Sequence, residues 1–217
     1  MKLRNHSLAF FTMLLLGIAA FLFLDGCATT GMDRSVKTSN SIQEVDGDIR
    51  KIIVQSDVTA TSLDALVKAG QPDLKKSFDS YSDNLAKLDS QGKQVLKHVE
   101  EMKARKTEYF AEWEKQGDAY TNPKIRELSE ERRNKLAEIY AQVHTAGGGI
   151  KIAYLAYLSD QKEIQRYLSN DLTPKGVEAI APVANKTVQD LDGLRTSLKP
   201  VIAALDEIKS ELYGGTK

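Results

Sequence analysis

Apolar side chains recur at alternating spacings of three and four residues over most of this chain, and this period limits the folds it can adopt. A helix of 3.6 residues per turn places such positions on one face, where they form a continuous seam. The longest run needs partner helices along its whole length, because isolated helices are marginal in water. Only Gly92 and Lys106 are not apolar in that run, which comprises Leu74, Phe78, Tyr81, Leu85, Leu88, Gly92, Val95, Val99, Met102, Lys106, Tyr109 and Trp113.

Turn signals divide the seams among four helices. Gly70 and Pro72 end the first helix, while Asn122-Pro123 and Thr173-Pro174 each provide a cap followed by a proline suited to the first turn. Short turns favour antiparallel neighbours. We predict an all-α fold, an elongated antiparallel four-helix coiled-coil-like bundle after an N-terminal lipoprotein signal helix. The helices are expected from residue 33 or 41 to 69 and over 73–120, 123–170 and 174–213.

The other three helices have seams of the same kind. The predicted core positions of the third helix are Leu136, Ile139, Val143, Ala146, Ile150, Ala153, Tyr157, Ile164 and Tyr167. Gly147-Gly148-Gly149 interrupts this seam, so we expect either a kink or a close helix crossing where side chains would not fit. Pro182 and Pro200 lie inside the fourth helix and are expected to bend it.

The N-terminus has the features of a secretory signal. Lys2 and Arg4 precede an uncharged, almost wholly apolar segment over 8–24, and Gly26-Cys27 follows. This arrangement resembles the processing site of bacterial lipoproteins, with Leu at −3, Gly at −1 and then Cys, although Asp25 stands where a small residue is usual. The resemblance implies cleavage between Gly26 and Cys27 and a diacylglycerol on the Cys27 sulfur, which would anchor the protein without a transmembrane helix.

Two other interpretations of this segment stay open. Its seventeen residues reach the lower limit for an uncleaved membrane helix, and Cys27 could instead be a structural cysteine. Ala28 is not the Asp that retains lipoproteins at the inner membrane of Gram-negative bacteria. The resemblance therefore implies the periplasmic face of the outer membrane, with the inner membrane as the alternative. We expect a signal peptide over 1–26, a flexible tether over 27–40, the bundle over 41–213 and a disordered tail over 214–217.

Charge and cysteine content narrow the classes of partner. Without Lys2, Arg4 and Asp25, the chain after residue 26 keeps 28 basic and 29 acidic residues. This near neutrality gives no electrostatic basis for binding nucleic acid. Cys27 is the only cysteine, so no disulfide can form within the chain.

A motif near the second turn carries a family resemblance. Residues 109–133 contain the cluster Phe110, Glu112, Trp113 and Glu114, followed by Tyr120, Asn122, Arg126, Ser129 and Arg132. The pattern resembles the central part of an uncharacterised bacterial family of helical envelope proteins, known only as a domain of unknown function. The resemblance implies a helical architecture over most of the chain and brings no activity with it.

No residue pattern in the chain indicates catalysis. His98 and His144 lack the Glu-x-x-His spacing of di-iron bundles, and Gly147–Gly149 before Lys151 is not a phosphate-binding loop. The apolar run over 150–158 resembles a membrane-insertion segment but is too short to span a bilayer, so bundle core is the preferred interpretation. We predict no catalytic residue, metal, cofactor or small-molecule substrate.

Aromatic residues before the second turn form the one candidate interaction surface, namely Tyr109, Phe110, Trp113 and Tyr120. Aromatic side chains favour protein interfaces and membrane surfaces, although packing at the end of the core is the simpler interpretation. The expected function is that of a non-enzymatic envelope scaffold or adaptor, with an envelope protein as partner and the membrane contacted through Cys27. The alternative is a membrane-active or lipid-binding bundle, linked to transport or pore formation. The sequence leaves the oligomeric state open.

Overall fold

A computed structural model describes residues 30–68, 70 and 72–213 of the chain. The predicted signal peptide, Gly26, Cys27 and the tail over 214–217 lie outside the described residues. Four helices follow one another, and the described part of the chain contains no strand, which confirms the all-α prediction. They are α1 (Gly31–Val67), α2 (Leu74–Asp118), α3 (Pro123–Asn170) and α4 (Pro174–Tyr213).

The first helix begins within the segment predicted as a tether. The Thr30 hydroxyl accepts a hydrogen bond from the Asp33 amide at 3.1 Å, and the Asp33 carboxylate accepts one from the Thr30 amide at 2.9 Å. This reciprocal capping box satisfies two amides that the first turn would otherwise leave unpaired. The structure therefore differs from the expected tether over 27–40, because residues 31–40 are helical.

The later turns form where the cap residues predict them. The Asp73 side chain accepts a hydrogen bond from the Lys76 amide and starts α2, after Gly70 has taken a positive φ of 79°. The Asn122 side chain accepts one from the Lys124 amide and starts α3. Each interaction satisfies one of the four free amides of a helix N-terminus.

The described residues from Ser35 onward form one compact unit in which neighbouring helices run antiparallel. Between α1 and α2, Asp48 pairs with His98 while Thr59, further along α1, reaches the carbonyl of Asn84, earlier on α2. The other neighbouring pairs of helices are antiparallel as well. Their contacts are Tyr81–Gln161 and Trp113–Ser129 between α2 and α3, Arg132–Glu211 between α3 and α4, and Asp46–Lys209 and Arg195–Asp57 between α1 and α4. The chain is an up-down-up-down four-helix bundle.

The seam positions supply most of the core, with one correction on α3. Tyr167 was predicted to be buried but is 38% exposed, and Leu168 is fully buried in its place. The step from Ile164 is therefore four residues rather than three, which the alternating pattern alone could not decide. The polar side chain of Gln161 is also fully buried, and its neighbours Tyr154 and Leu158 join the core.

The three consecutive glycines do not interrupt α3, which is helical throughout Gly147–Gly149. A Cβ atom built on any of them meets no other atom within 4 Å. The alternative of a close crossing by another helix is therefore wrong, because these positions face open space, and the alternative of a kink stays a prediction. Pro182 and Pro200 do lie inside α4, and the bend expected there stays a prediction.

Candidate functional site

The aromatic cluster packs at the end of α2. Trp113 meets Tyr109 edge-on at a centroid distance of 5.4 Å, and Phe110 meets Tyr140 of α3 in the same way at 5.8 Å. The Trp113 indole donates a hydrogen bond to the Ser129 hydroxyl at 3.0 Å. Tyr109, Phe110 and Trp113 are half-buried against the core. The structure thus brings three of the four predicted surface aromatics into one packed group.

The fourth aromatic, Tyr120, lies beyond the end of α2 and is 38% exposed. Its backbone carbonyl accepts a hydrogen bond from the Arg126 guanidinium at 2.8 Å, which ties the turn to the first turn of α3. Two apolar side chains close to it in sequence are also exposed, Ile125 at 48% and Leu128 at 54%. Sequence reasoning missed these two, although their i, i+3 spacing places them on one face of α3.

The residues of the family motif stabilise this hairpin. Asn122 caps α3, Arg126 holds the turn and Ser129 accepts the Trp113 indole hydrogen bond. Arg132 continues the same face toward α4, where it donates a hydrogen bond to the backbone carbonyl of Glu211 at 3.1 Å. These four residues of the motif therefore stabilise the α2–α3 turn and its attachment to α4.

A cavity of about 240 Å³ lies inside the bundle between α2 and α3. Gly92, Gly147 and Gly148 line it and contribute no side chain to fill it. Lys106 of α2 also lines it, and its ammonium nitrogen lies 5.5 Å from the centroid of the Tyr140 ring. The sequence carried a signal for this cavity, since Gly92 and Lys106 are the two positions where the long seam of α2 is not apolar.

Buried tyrosines form a polar network beside this cavity. The Tyr81 hydroxyl donates to Gln161, whose backbone and side-chain oxygens lie 2.7 and 2.8 Å away, and the Gln161 amide donates to the Tyr157 hydroxyl. The Tyr154 hydroxyl donates to the carbonyl of Leu88 at 2.9 Å. Burial raises the pKa of Tyr157 to about 12 and raises the pKa values of Tyr81 and Tyr154 further.

Charged pairs join α1 to α4. Lys209 and Arg50 each donate a hydrogen bond to Asp46, at 3.0 Å in both cases. Burial disfavours the charged carboxylate, but the hydrogen bonds from Arg50 and Lys209 outweigh it and hold the pKa of Asp46 below its usual value. These pairs fix the register of α1 against α4 and leave no free group for chemistry.

One cluster on the α1–α2 face has the side chains that could hold a metal ion. Donor atoms of Glu44, His98 and Glu101 lie within 4.8 Å of one another. The buried carboxylate of Asp48 lies 2.7 Å from Nδ1 of His98 and orients the ring, as carboxylates do for metal-bound histidines. Glu44 and Glu101 are exposed, and such exposed acidic groups are common without a metal.

Among the described residues, no helix combines the length and the apolar character that crossing a bilayer requires. Gly26 and Cys27, the predicted cleavage and lipid-attachment residues, lie outside that part of the chain, so both assignments stay predictions.

The fold places the protein in the class of antiparallel four-helix bundles. A family model described as "Protein of unknown function (DUF2959)" matches residues 33–212. The chain belongs to this family, which confirms the predicted membership in an uncharacterised domain family. No curated protein and no solved structure matches the chain.

Proposed function

We propose that the protein is a non-enzymatic scaffold or adaptor of the bacterial envelope, anchored to the membrane by lipid on Cys27. The observation that carries the proposal is the exposed apolar end of the α2–α3 hairpin, formed by Tyr120, Ile125 and Leu128. Monomeric proteins expose single apolar side chains routinely, but a group at one end of a rigid element is typical of an interaction site. The hydrogen bonds of Asn122 and Arg126 hold this end in one conformation, which reduces the ordering cost of binding.

The antiparallel order supports placing this end near the anchor. Asp48 pairs with His98 while Thr59 contacts Asn84, so moving toward the start of α1 means moving toward the end of α2. Cys27 precedes Gly31, the first residue of α1, by four residues, which can span at most about 14 Å when fully extended. A lipid on Cys27 would keep the hairpin end close to the membrane surface, where an envelope partner could reach it.

The surface is tested by a photoreactive amino acid at Ile125 or Leu128 in intact cells. We expect both positions to crosslink to the same protein. Val183 is the matched control, because it is 51% exposed and lies near the start of α4, at the opposite end of the bundle. Charge placed on the patch by Ile125→Glu should abolish the crosslink from Leu128. A partner that crosslinks equally from Val183, or no protein crosslink from either hairpin position, would contradict the proposed surface.

The anchor is tested by intact-mass analysis of the protein from bacterial membranes. We expect a chain that begins at Cys27 and carries added acyl mass. Cys27→Ser should leave the signal peptide uncleaved, because the lipoprotein peptidase requires the lipidated cysteine. Asp25→Ala is the informative control, since a small residue at that position should keep or improve processing. A wild-type chain that begins at Met1 with a free thiol excludes the anchor.

A specific observation favours the membrane-active alternative as a second candidate. Ile152 is 73% exposed and Leu155 is 43% exposed, and both belong to the apolar run over 150–158. In this function the bundle opens and inserts that run into lipid. Leakage from liposomes on addition of the purified chain, abolished by Ile152→Glu, would favour insertion. Intact liposomes at saturating protein favour the scaffold.

A further inference from the structure

The walls of the cavity are mostly apolar, and charged side chains line its rim. Six of its side chains come from the first and last helices, namely Val45, Ile49, Ile52, Leu194, Leu198 and Val201. Its volume of about 240 Å³ exceeds the roughly 150 Å³ of an engineered apolar cavity that stays free of water and binds benzene. Water has few polar partners along these walls, so an apolar ligand is the better occupant.

The cavity is elongated and has an opening. It extends along α3 from Tyr140 to Tyr154, fourteen residues apart, which corresponds to about 21 Å of helix axis. Gly147 and Gly148 leave open space on the way, because a Cβ atom built on either meets nothing within 4 Å. The glycine run thus removes the side chains that would otherwise close the gap between α2 and α3. A narrow, unbranched chain fits this shape better than a compact ring system.

Tyr140 and Lys106 line one end of the cavity. The side chain of Tyr140 is 97% buried, and its hydroxyl has no hydrogen-bond partner among the described residues. An unsatisfied buried hydroxyl is costly, so a hydrogen-bond acceptor beside it would be stabilising. Lys106 lies over the same ring and forms no ion pair with the described residues. A cation beside an unpaired donor favours an anionic group.

The rim reinforces this preference for negative charge. Lys103 and Lys151 also line the cavity, with Glu100 as the one acidic side chain there. Lys103 pairs with Glu100 at 2.8 Å, so the rim is net positive when Lys106 and Lys151 are included. An anion would therefore be attracted to this rim.

We propose that this cavity binds a long-chain fatty acid. The carboxylate accepts hydrogen bonds from the Tyr140 hydroxyl and the Lys106 ammonium, and the unbranched alkyl chain runs past Gly147 toward Tyr154. The chain replaces empty space by apolar contact, and the carboxylate satisfies the buried hydroxyl. The inference depends neither on the Cys27 anchor nor on a protein partner.

The experiment uses the full-length chain in membranes and a tetradecanoate probe that carries a photoreactive diazirine on its alkyl chain. Mass spectrometry should locate the crosslinks on the peptides that contain Gly92 and Gly147. Unlabelled tetradecanoate should compete at a concentration about tenfold lower than tetradecan-1-ol, which lacks the carboxylate. Crosslinks confined to exposed residues, or equal competition by the alcohol, would overturn the assignment.

Three variants separate binding from stability. Gly147→Leu fills the cavity and should abolish crosslinking, whereas Gly193→Leu, at an exposed glycine of α4, should not. Tyr140→Phe removes an unsatisfied hydroxyl, so it should keep or raise the melting temperature while weakening competition by tetradecanoate about tenfold. A Tyr140→Phe protein that binds tetradecanoate like the wild type would refute the head-group site. Lysophosphatidylcholine competing better than tetradecanoate would instead assign the cavity to a phospholipid.

Discussion

Gly92→Ala is expected to destabilise the bundle by about 1–2 kcal/mol, the opposite of the usual effect of alanine in a helix. A Cβ atom at position 92 would lie 2.2 Å from the Tyr154 hydroxyl oxygen and 2.6 Å from two carbons of its ring. The ring would have to turn away and give up its hydrogen bond to Leu88. That loss exceeds the roughly 1 kcal/mol gained in helix propensity.

Gly193→Ala is the matched control, because Gly193 is exposed in the middle of α4 and a Cβ there meets nothing within 4 Å. This substitution should stabilise the protein by about 0.5–1 kcal/mol. Both changes can be measured by urea denaturation followed by circular dichroism. In a Tyr154→Leu background the tyrosine ring is gone, so Gly92→Ala should become stabilising. If Gly92→Ala stabilises the wild-type protein as Gly193→Ala does, Tyr154 does not occupy that space.

The second large effect is cooperative unfolding at alkaline pH. Burial raises the pKa values of Tyr81, Tyr140, Tyr154 and Tyr157 above the unfolded value of about 10. A group whose pKa is raised by folding contributes stability that is complete below the unfolded pKa and is lost as the pH rises through the folded value. The free energy of unfolding should therefore fall above about pH 10, by about 1.4 kcal/mol per pH unit for each such tyrosine.

Far-UV circular dichroism and tyrosinate absorbance can be followed in one pH titration. We expect the buried tyrosines to ionise in the same transition in which helix is lost. Tyr140→Phe should move this transition to higher pH, because it removes one ionising group that has no hydrogen-bond partner. Tyr120→Phe, at an exposed position, should leave the midpoint unchanged. Complete ionisation of all tyrosines near pH 10 with the helices intact would contradict the buried network.

Local signals located the helices and their ends. The caps at Asp73, Asn122 and Thr173 each use a short polar side chain within three residues of the amide it accepts from. Such interactions depend on neighbours in sequence, so they can be recognised without the rest of the fold. The capping box at Thr30 and Asp33 is equally local, but the prediction of a tether over 27–40 did not take it into account.

The candidate sites depend on residues far apart in the chain. His98 looked isolated on α2 because its partner Asp48 is fifty positions earlier. The buried Gln161 interrupts an apolar seam, and its partner Tyr81 is eighty positions away. Neither pairing follows from the spacing within one helix, since it requires the rotation and register of both helices. Tyr167 was misplaced for the same reason, because rotation of α3 against its neighbours selects Leu168 instead.

The sequence by itself determined four helices, three turns and the face that each helix buries, because helical period and capping depend on residues within a few positions of one another. Antiparallel order followed from the shortness of the turns. The tertiary structure decided how the core is filled, because side chains from all four helices together fill the interior at each level of the bundle. Where Gly147 and Gly148 contribute no side chain beside Lys106 and Tyr140, a cavity remains. Its position is a property of the packing and of no single helix.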